Sequence, residues 1–386
     1  MGSRATKSHS TETLVFADKD HDFRIPALLY VKEWNTFLAF AEKRTSSKDE
    51  HAENLVMRKG LRQPDGSLQW SPTEDLMKAS IDGFRTMNPC PVFERNSGTL
   101  FLFFICLRGT TLECMLKPGQ TRLCYVMSVD RGQTWSDHTD LTSSVMDATF
   151  DHYQTFAVGP GHGIQLRSGT LLVPAYVKLV EGCRQYPGLW CCCGGCECVS
   201  THSVVLRSHD LLTWHAGQPV ATETGECQLA EVFDGEGRTQ VYLNARSTGE
   251  WRVEALSGDG GESFTPLSHL ALPEVGKGCQ GSVVSFPARE LPAGEGASAQ
   301  TALLFSHPTA GQDWDRLELG VHLRSSLQDH HPWGEPHIIH PGRSGYSDLA
   351  RCEAEGRFAC LMECGEGGRL QMVFREFDLT EILHIV

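Results

Sequence analysis

Ser128-Val129-Asp130-Arg131-Gly132-Gln133-Thr134-Trp135 reads as a tight turn between two strands. Asp and Gly favour the turn, the threonine hydroxyl caps it, and the tryptophan packs beneath it. Ser208-His209-Asp210-Leu211-Leu212-Thr213-Trp214 is a degraded copy, and Ser257-Gly258-Asp259-Gly260-Gly261-Glu262-Ser263-Phe264 is a third. Chance turns do not reproduce one spaced pattern three times. Between and around these turns lie short runs rich in Val, Leu, Phe and Tyr, each bounded by Gly, Pro, Asp or Ser. They fall at 25–31, 35–41, 99–107, 123–129, 170–177 and 203–207, then at 239–245, 252–256, 281–286, 301–306, 317–323, 358–362 and 370–374. Strands at this spacing, with few amphipathic helix patterns, predict an all-β chain. Repeated β-units of this size are the blades of a β-propeller, which leaves only short, protected sheet edges.

Composition narrows the function. Hydrophobic residues make up 40% of the 386 and charged residues 21%, enough for a real core. The longest apolar run, 99–107, is about half of what a membrane span needs. The polar start predicts no secretory signal. A net charge of −14 argues against nucleic-acid binding, and any anionic ligand must be met by clustered arginines. Fifteen cysteines, an odd number, point to reduced thiols in a cytosolic setting. Cys183, Cys191, Cys192, Cys193, Cys196 and Cys198 crowd together, but the Cys193/Cys196 pair has no second pair at zinc-ligand spacing. The segment at about 183–198 therefore reads as an exposed loop insert. Residues 1–20 read as a flexible N-terminal segment, 21–386 as the propeller, and 288–300 as a surface loop.

The repeated turn is an Asp box. Together with Phe23-Arg24-Ile25-Pro26, it resembles the signature of the sialidase (neuraminidase) family. The similarity runs on through Phe40-Ala41-Glu42-Lys43-Arg44, Asp49-Glu50-His51-Ala52, Arg85-Thr86-Met87-Asn88-Pro89, Ala230-Glu231-Val232, Asn244-Ala245-Arg246-Ser247 and Gly345-Tyr346-Ser347-Asp348. These segments look like animal sialidases of the cytosolic and plasma-membrane ganglioside types. The resemblance implies a six-bladed propeller and hydrolysis of terminal α-linked sialic acid with retention of configuration.

Sialic acid carries a carboxylate on its anomeric carbon, which a planar, bidentate guanidinium suits better than an ammonium. The resemblance assigns this clamp to Arg24, Arg246 and Arg316. The same carboxylate disfavours a carboxylate nucleophile, by about 4 kcal/mol for like charges 4 Å apart at an effective dielectric of 20. Sialidases with a tyrosine nucleophile are a known exception to the two-carboxylate scheme of glycosidases. By resemblance the nucleophile is Tyr346, with Glu231 accepting its proton. Asp49 is the acid/base that protonates the leaving sugar and later activates water. Glu363 holds the first arginine in place. Arg44 and Asn88 are expected at the ring substituents, Met87 as an apolar contact and Tyr176 at the glycerol tail, where Val177 and Lys178 depart from the cytosolic type.

These implications describe a retaining exo-α-sialidase acting on gangliosides, glycoproteins or oligosaccharides. Two rivals are another propeller glycosidase, which would not need three arginines, and a non-catalytic sialic-acid-binding propeller, which would not need Tyr346 and Asp49. No metal or organic cofactor is implied, because acid, nucleophile and anion clamp are all side chains. Met1-Gly2-Ser3-Arg4-Ala5-Thr6 fits a myristoylation pattern. With thiol acylation at Cys191, Cys192 and Cys193 as a second signal, it predicts peripheral plasma-membrane or vesicle association; the alternative is a cytoplasmic protein.

Overall fold

The computed structural model describes residues 12–181, 198–233, 236–268, 272–292, 301–327, 333–365 and 369–383. Gly2 and the cysteine cluster apart from Cys198 lie outside them. The fold is all-β, a propeller-like succession of small antiparallel sheets in chain order, two of four strands and two of five, followed by one of seven. The long strand His337–Arg351 lies within the last sheet. Its first part pairs with Leu317–Arg324, and from Ser344 onward it pairs with Arg357–Cys364. The innermost strands adjoin in turn. Asp22–Val31 lies beside Phe84–Glu94, Ile164–Gln165 touches both Phe84–Glu94 and Cys227–Phe233, and Ser282–Pro287 links Cys227–Phe233 to His337–Arg351, which returns to Asp22–Val31. They surround a central channel.

The N-terminal boundary needs a correction. Thr13–Phe16 is a strand paired antiparallel with Met372, Val373 and Phe374, and Val15 and Phe16 are buried. The ordered fold therefore begins before residue 21. Pairing the first strand with the last ties the two ends of the chain into one sheet and covers an edge that would otherwise be open.

Burial explains the apolar run in Thr99–Arg108. Leu100, Leu102, Phe104 and Cys106 face the cluster containing Leu38, Phe40 and Val126. Phe101, Phe103, Ile105 and Leu107 face the cluster containing Val173, Leu206 and Trp214. A strand between two neighbouring sheets buries both faces, so its sequence loses the alternation of a half-exposed strand. Each such side chain contributes about 1.5–3 kcal/mol.

The three quoted segments form the same turn. Ser128 Oγ donates to Asp130 Oδ1 (2.8 Å) and accepts from Gly132 N (2.8 Å), while Thr134 gives its N–H and hydroxyl to the Asp130 carboxylate at 2.9 and 2.5 Å. Asp210 and Asp259 receive Thr213 and Ser263 in the same way. The donors hold the carboxyls of Asp130, Asp210 and Asp259 below their ordinary range. Trp135, Trp214 and Phe264 pack onto successive core clusters.

A buried polar layer crosses the channel. Asp348 Oδ1 accepts from Ser282 Oγ (2.7 Å) and lies 2.8 Å from His162 Nδ1, while its Oδ2 accepts from Leu28 N at 2.7 Å. Gln228 and Gln280 both donate to Pro160 O. This layer joins five inner segments and divides the channel into two mouths. No helix among the described residues is long and apolar enough to cross a membrane.

Candidate active site

One mouth opens into a cavity of about 810 Å³ lined by Arg24, Arg44, Asp49, Met87, Asn88, Tyr176, Arg246, Arg316, Tyr346 and Glu363. Every residue expected at the site is there except Glu231.

Arg24 reaches the cavity through a backbone irregularity. The pairing of Asp22–Val31 shifts register between Arg24 and Ala27, and Ile25 adopts φ +60°, rare for a β-branched residue. Glu363 holds that conformation. Its Oε1 accepts from Ile25 N (2.8 Å) and Arg24 Nε (3.1 Å), and its Oε2 accepts from Tyr346 N (3.1 Å). Burial pushes the Glu363 carboxyl up, but Arg24 and the two backbone donors outweigh it and keep the group below its usual range. Residue 345 must be glycine, since a Cβ there would lie 2.3 Å from Glu363 Oε2. The expected pairing of Glu363 with Arg24 is therefore present, and the same carboxylate also fixes the backbone of Tyr346.

Tyr346 is buried at the cavity floor. Its hydroxyl donates to Glu226 Oε1 at 2.5 Å. Arg246 Nη1 donates to Glu226 Oε2 (2.9 Å) and to the Tyr346 oxygen (3.3 Å). The guanidinium carbons of Arg24 and Arg316 lie 5.5 and 5.1 Å from the Tyr346 ring centroid. Arg316 Nη2 is held by Gly278 O (2.8 Å), and Arg246 Nη2 by Lys277 O (2.9 Å). Gly278, at φ +82°, lets these two arginines converge, because a Cβ would sit 2.8 Å from Arg246 Nε. Burial and the neighbouring Glu226 raise the Tyr346 phenol well above its ordinary value. The phenol stays protonated until a base removes its proton.

Glu231, expected as the partner of Tyr346, does not line this cavity. It lies within the strand Cys227–Phe233, accepts from Arg167 N at 2.8 Å and lines a different cavity. A strand advances about 3.3 Å per residue, so five residues carry the chain roughly 16 Å, from one mouth of the channel to the other. Glu226 stands just before this strand, opposite Arg246. Cys227 pairs with Ala245, and Arg246 N donates to Glu226 O.

Asp49 lies on the short helical turn Asp49–His51 at the cavity edge, its side chain 58% exposed. Its Oδ1 accepts from Arg44 Nη1 (2.6 Å) and Arg24 Nη1 (3.3 Å). Partial burial works to raise its pKa, but Arg44 and then Arg24 more than offset this, so the net direction is downward. Arg44 itself is fully buried, with Nε on Glu42 Oε2 at 2.8 Å. Glu42 also accepts from Asn88 N (2.7 Å), and the Asn88 side chain donates to Val158 O at 3.0 Å. Arg44 and Asn88 thus line the cavity while being tied into its wall. On the far wall, Glu113 Oε1 accepts from the Tyr176 hydroxyl and from Lys178 Nζ, each at 3.0 Å. The lysine that departs from the cytosolic pattern is thereby neutralised in place. Among the described residues, no group of three or more His, Cys, Asp or Glu side chains is placed to hold a metal ion.

A BNR repeat-like domain model matches residues 35–360. Sialidase-3 of Bos taurus is 45% identical over 396 residues, spanning 94% of this chain and 90% of the relative. Sialidase-2 of Mus musculus is 41% identical, spanning 96% and 95%. Among solved structures, Trypanosoma rangeli sialidase in complex with 2,3-difluorosialic acid, described as a covalent intermediate, superposes with a TM-score of 0.68 at 18% identity, covering 96% of this chain and 57% of that one. The length and level of the match to curated sialidases place this chain in the sialidase family of glycoside hydrolases.

Proposed function

We propose that the protein is a retaining exo-α-sialidase in which Tyr346 is the nucleophile, Glu226 its proton acceptor and Asp49 the general acid/base. The observation that carries this reading is the 2.5 Å hydrogen bond from the Tyr346 hydroxyl to Glu226, among the guanidinium groups of Arg24, Arg246 and Arg316. The three arginines take the substrate carboxylate. The Tyr346 oxygen then bonds to the anomeric carbon as its proton passes to Glu226, while the glycosidic bond breaks and Asp49 protonates the departing oxygen. In the second half water attacks the same carbon and gives a proton to Asp49. Tyr346 leaves and recovers its proton from Glu226. Two inversions give net retention, in keeping with the covalent intermediate described for the trypanosomal relative.

The substrate itself helps Asp49 to act as an acid. In the free protein two arginines favour its carboxylate form. A sugar carboxylate on Arg24 cancels part of that positive field and moves the Asp49 pKa upward, toward the protonated form the first step needs.

Read as blades, the sheets number six once His337–Arg351 is divided at Ser344, its first part closing one blade and its second opening the next. Sialylated glycolipids and glycoproteins are the substrate class, and peripheral membrane association through Gly2 and Cys191–193 is the matching proposal for access to lipids. Turnover of a fluorogenic sialoside across about pH 4 to 7 tests the activity, and NMR of the first-formed product tests retention. A folded sample without turnover rejects the enzyme; a first product of opposite anomeric configuration rejects the double displacement. Retention of the protein on membranes after Gly2→Ala with all three cysteines changed to Ser removes the lipid anchor from the proposal.

A further inference from the structure

The opposite mouth of the channel holds a second cavity of about 700 Å³. It is built from the other ends of the same strands. Asp22–Val31 gives Arg24 to the first cavity and Leu28–Tyr30 to the second, Phe84–Glu94 gives Asn88 and then Phe93, and His337–Arg351 gives Tyr346 and then Leu349–Arg351. The polar layer around Asp348 lies between them, and its His162 forms part of the second cavity's floor.

Polar and apolar side chains share the walls, and the apolar Leu29, Phe93, Ile164 and Phe233 are only half buried. The rim is cationic. Lys32, Arg95, Arg167, Arg289 and Arg351 come from five successive positions around the ring, against Glu33 and Glu231, on a chain whose net charge is −14. Most of these charges are engaged: Lys32 with Glu353 (3.3 Å), Arg95 with Gln165 (3.0 Å) and Arg351 with Glu290 (2.5 Å). Two are not. The Arg167 guanidinium lies 3.9 Å from the Phe233 ring centroid and, among the described residues, donates to no acceptor. Arg289, exposed on the turn Ala288–Glu290, also has no partner among them. Glu231 accepts the backbone N–H of Arg167, which keeps its Oε1 turned to the wall.

We propose that this second cavity binds a small amphiphilic anion, its head group on Arg167 and Arg289 and its apolar body against Phe93, Ile164 and Phe233. A guanidinium stacked on an aromatic face keeps its N–H edge free for a phosphate, sulfate or carboxylate. Half-buried apolar side chains then favour a ligand that brings carbon as well as charge, and the cavity is of ordinary size for such a ligand.

Isothermal titration of the full chain with decyl phosphate, kept below its micellar concentration, tests this. Inorganic phosphate and decyl maltoside separate the contributions of head and tail. Saturable binding of decyl phosphate, about tenfold or more tighter than either control, is expected. It should persist when an unsaturated sialic-acid analogue fills the first cavity. Arg167→Ala with Arg289→Ala should weaken it by about tenfold or more, with melting temperature and sialoside hydrolysis unchanged. Arg289→Glu alone, on an exposed turn, should weaken it in the same direction. Absence of saturation, displacement by the sialic-acid analogue, phosphate binding as tightly as the amphiphile, or unchanged affinity in both variants would each overturn the assignment.

Discussion

Glu226 and Glu231 stand five residues apart, at opposite mouths of one channel. Glu226 meets a tyrosine hydroxyl and an arginine in a site where Arg24 and Arg44 have carboxylate partners of their own. Glu231 meets a backbone N–H beside an arginine whose charge rests on a phenyl ring. The same side chain thus accepts a phenol proton in a hydrogen bond at one mouth and serves as a wall fixture at the other. The surroundings make the difference: at the first mouth a buried phenol lies within hydrogen-bond reach of the carboxylate, and at the second the carboxylate takes a backbone N–H.

The largest effect should come from the nucleophile. Tyr346→Phe is expected to lower kcat by about a thousandfold or more, with binding of an unsaturated sialic-acid analogue retained. Near-normal turnover in this variant would remove Tyr346 from the chemistry. The two glutamates give the sharpest contrast. Glu226→Gln should cost about 10² to 10⁴ in kcat, whereas Glu231→Gln should stay within about twofold. The reverse ranking would restore the pairing expected from the sequence.

Arg24→Ala should weaken binding of the sialic-acid analogue by about 1.5–3 kcal/mol, read by calorimetry, because a charge-assisted contact to the substrate carboxylate is lost. Arg167→Ala, at the other mouth, should leave that affinity unchanged. If the two substitutions weaken the analogue equally, the carboxylate clamp lies elsewhere.

A smaller effect concerns pH. Asp49 must be protonated to act as an acid, and Arg44 helps to lower its pKa. Replacing Arg44 and its buried partner Glu42 by Gln together avoids leaving one charge stranded. The Asp49 pKa then rises, and the alkaline limb of the kcat/KM profile should move to higher pH by on the order of one unit. A limb that stays put or moves to lower pH would assign it to another group.

The smallest effect lies in the turns, far from either mouth. Asp259 has a folded pKa of about 2, through burial opposed by Ser257, Ser263 and backbone donors. A folded value below the unfolded one, about 3.9, adds stability that is complete above that pH and fades as pH falls toward the folded value. Melting temperature should therefore decline between about pH 4 and about pH 2, less steeply in Asp259→Asn. Parallel curves for the two proteins would show that the turn makes no pH-linked contribution.

How much of this was legible depends on distance along the chain. The turns at 128, 208 and 257 were readable because their donors and acceptors lie within five residues of one another. The strand 99–108 was readable as apolar, but its burial on both faces was not, since that requires knowing which sheets flank it. Thr13–Phe16 was missed because a four-residue strand carries little pattern of its own and is fixed by a partner near the other end of the chain. Hairpin pairing narrows the choice of carboxylate beside Arg246, though not its contact with Tyr346. If 227–233 pairs antiparallel with 239–245, the residue opposite Arg246 precedes that strand, which selects Glu226 and not Glu231.

By itself the sequence determined the all-β class, the repeated turns, the arginine-rich character of the site, and Tyr346, Asp49 and Glu363 as its members. Each of these follows from local hydrogen bonding, from side-chain periodicity, or from short motifs that carry a family resemblance. Tertiary structure alone decided which carboxylate meets the Tyr346 hydroxyl, that Asp49 is held between two arginines, and that a second cationic cavity lies at the far mouth. Those outcomes depend on contacts between residues up to hundreds of positions apart, where a shift of a few residues along a strand carries a side chain from one end of the channel toward the other.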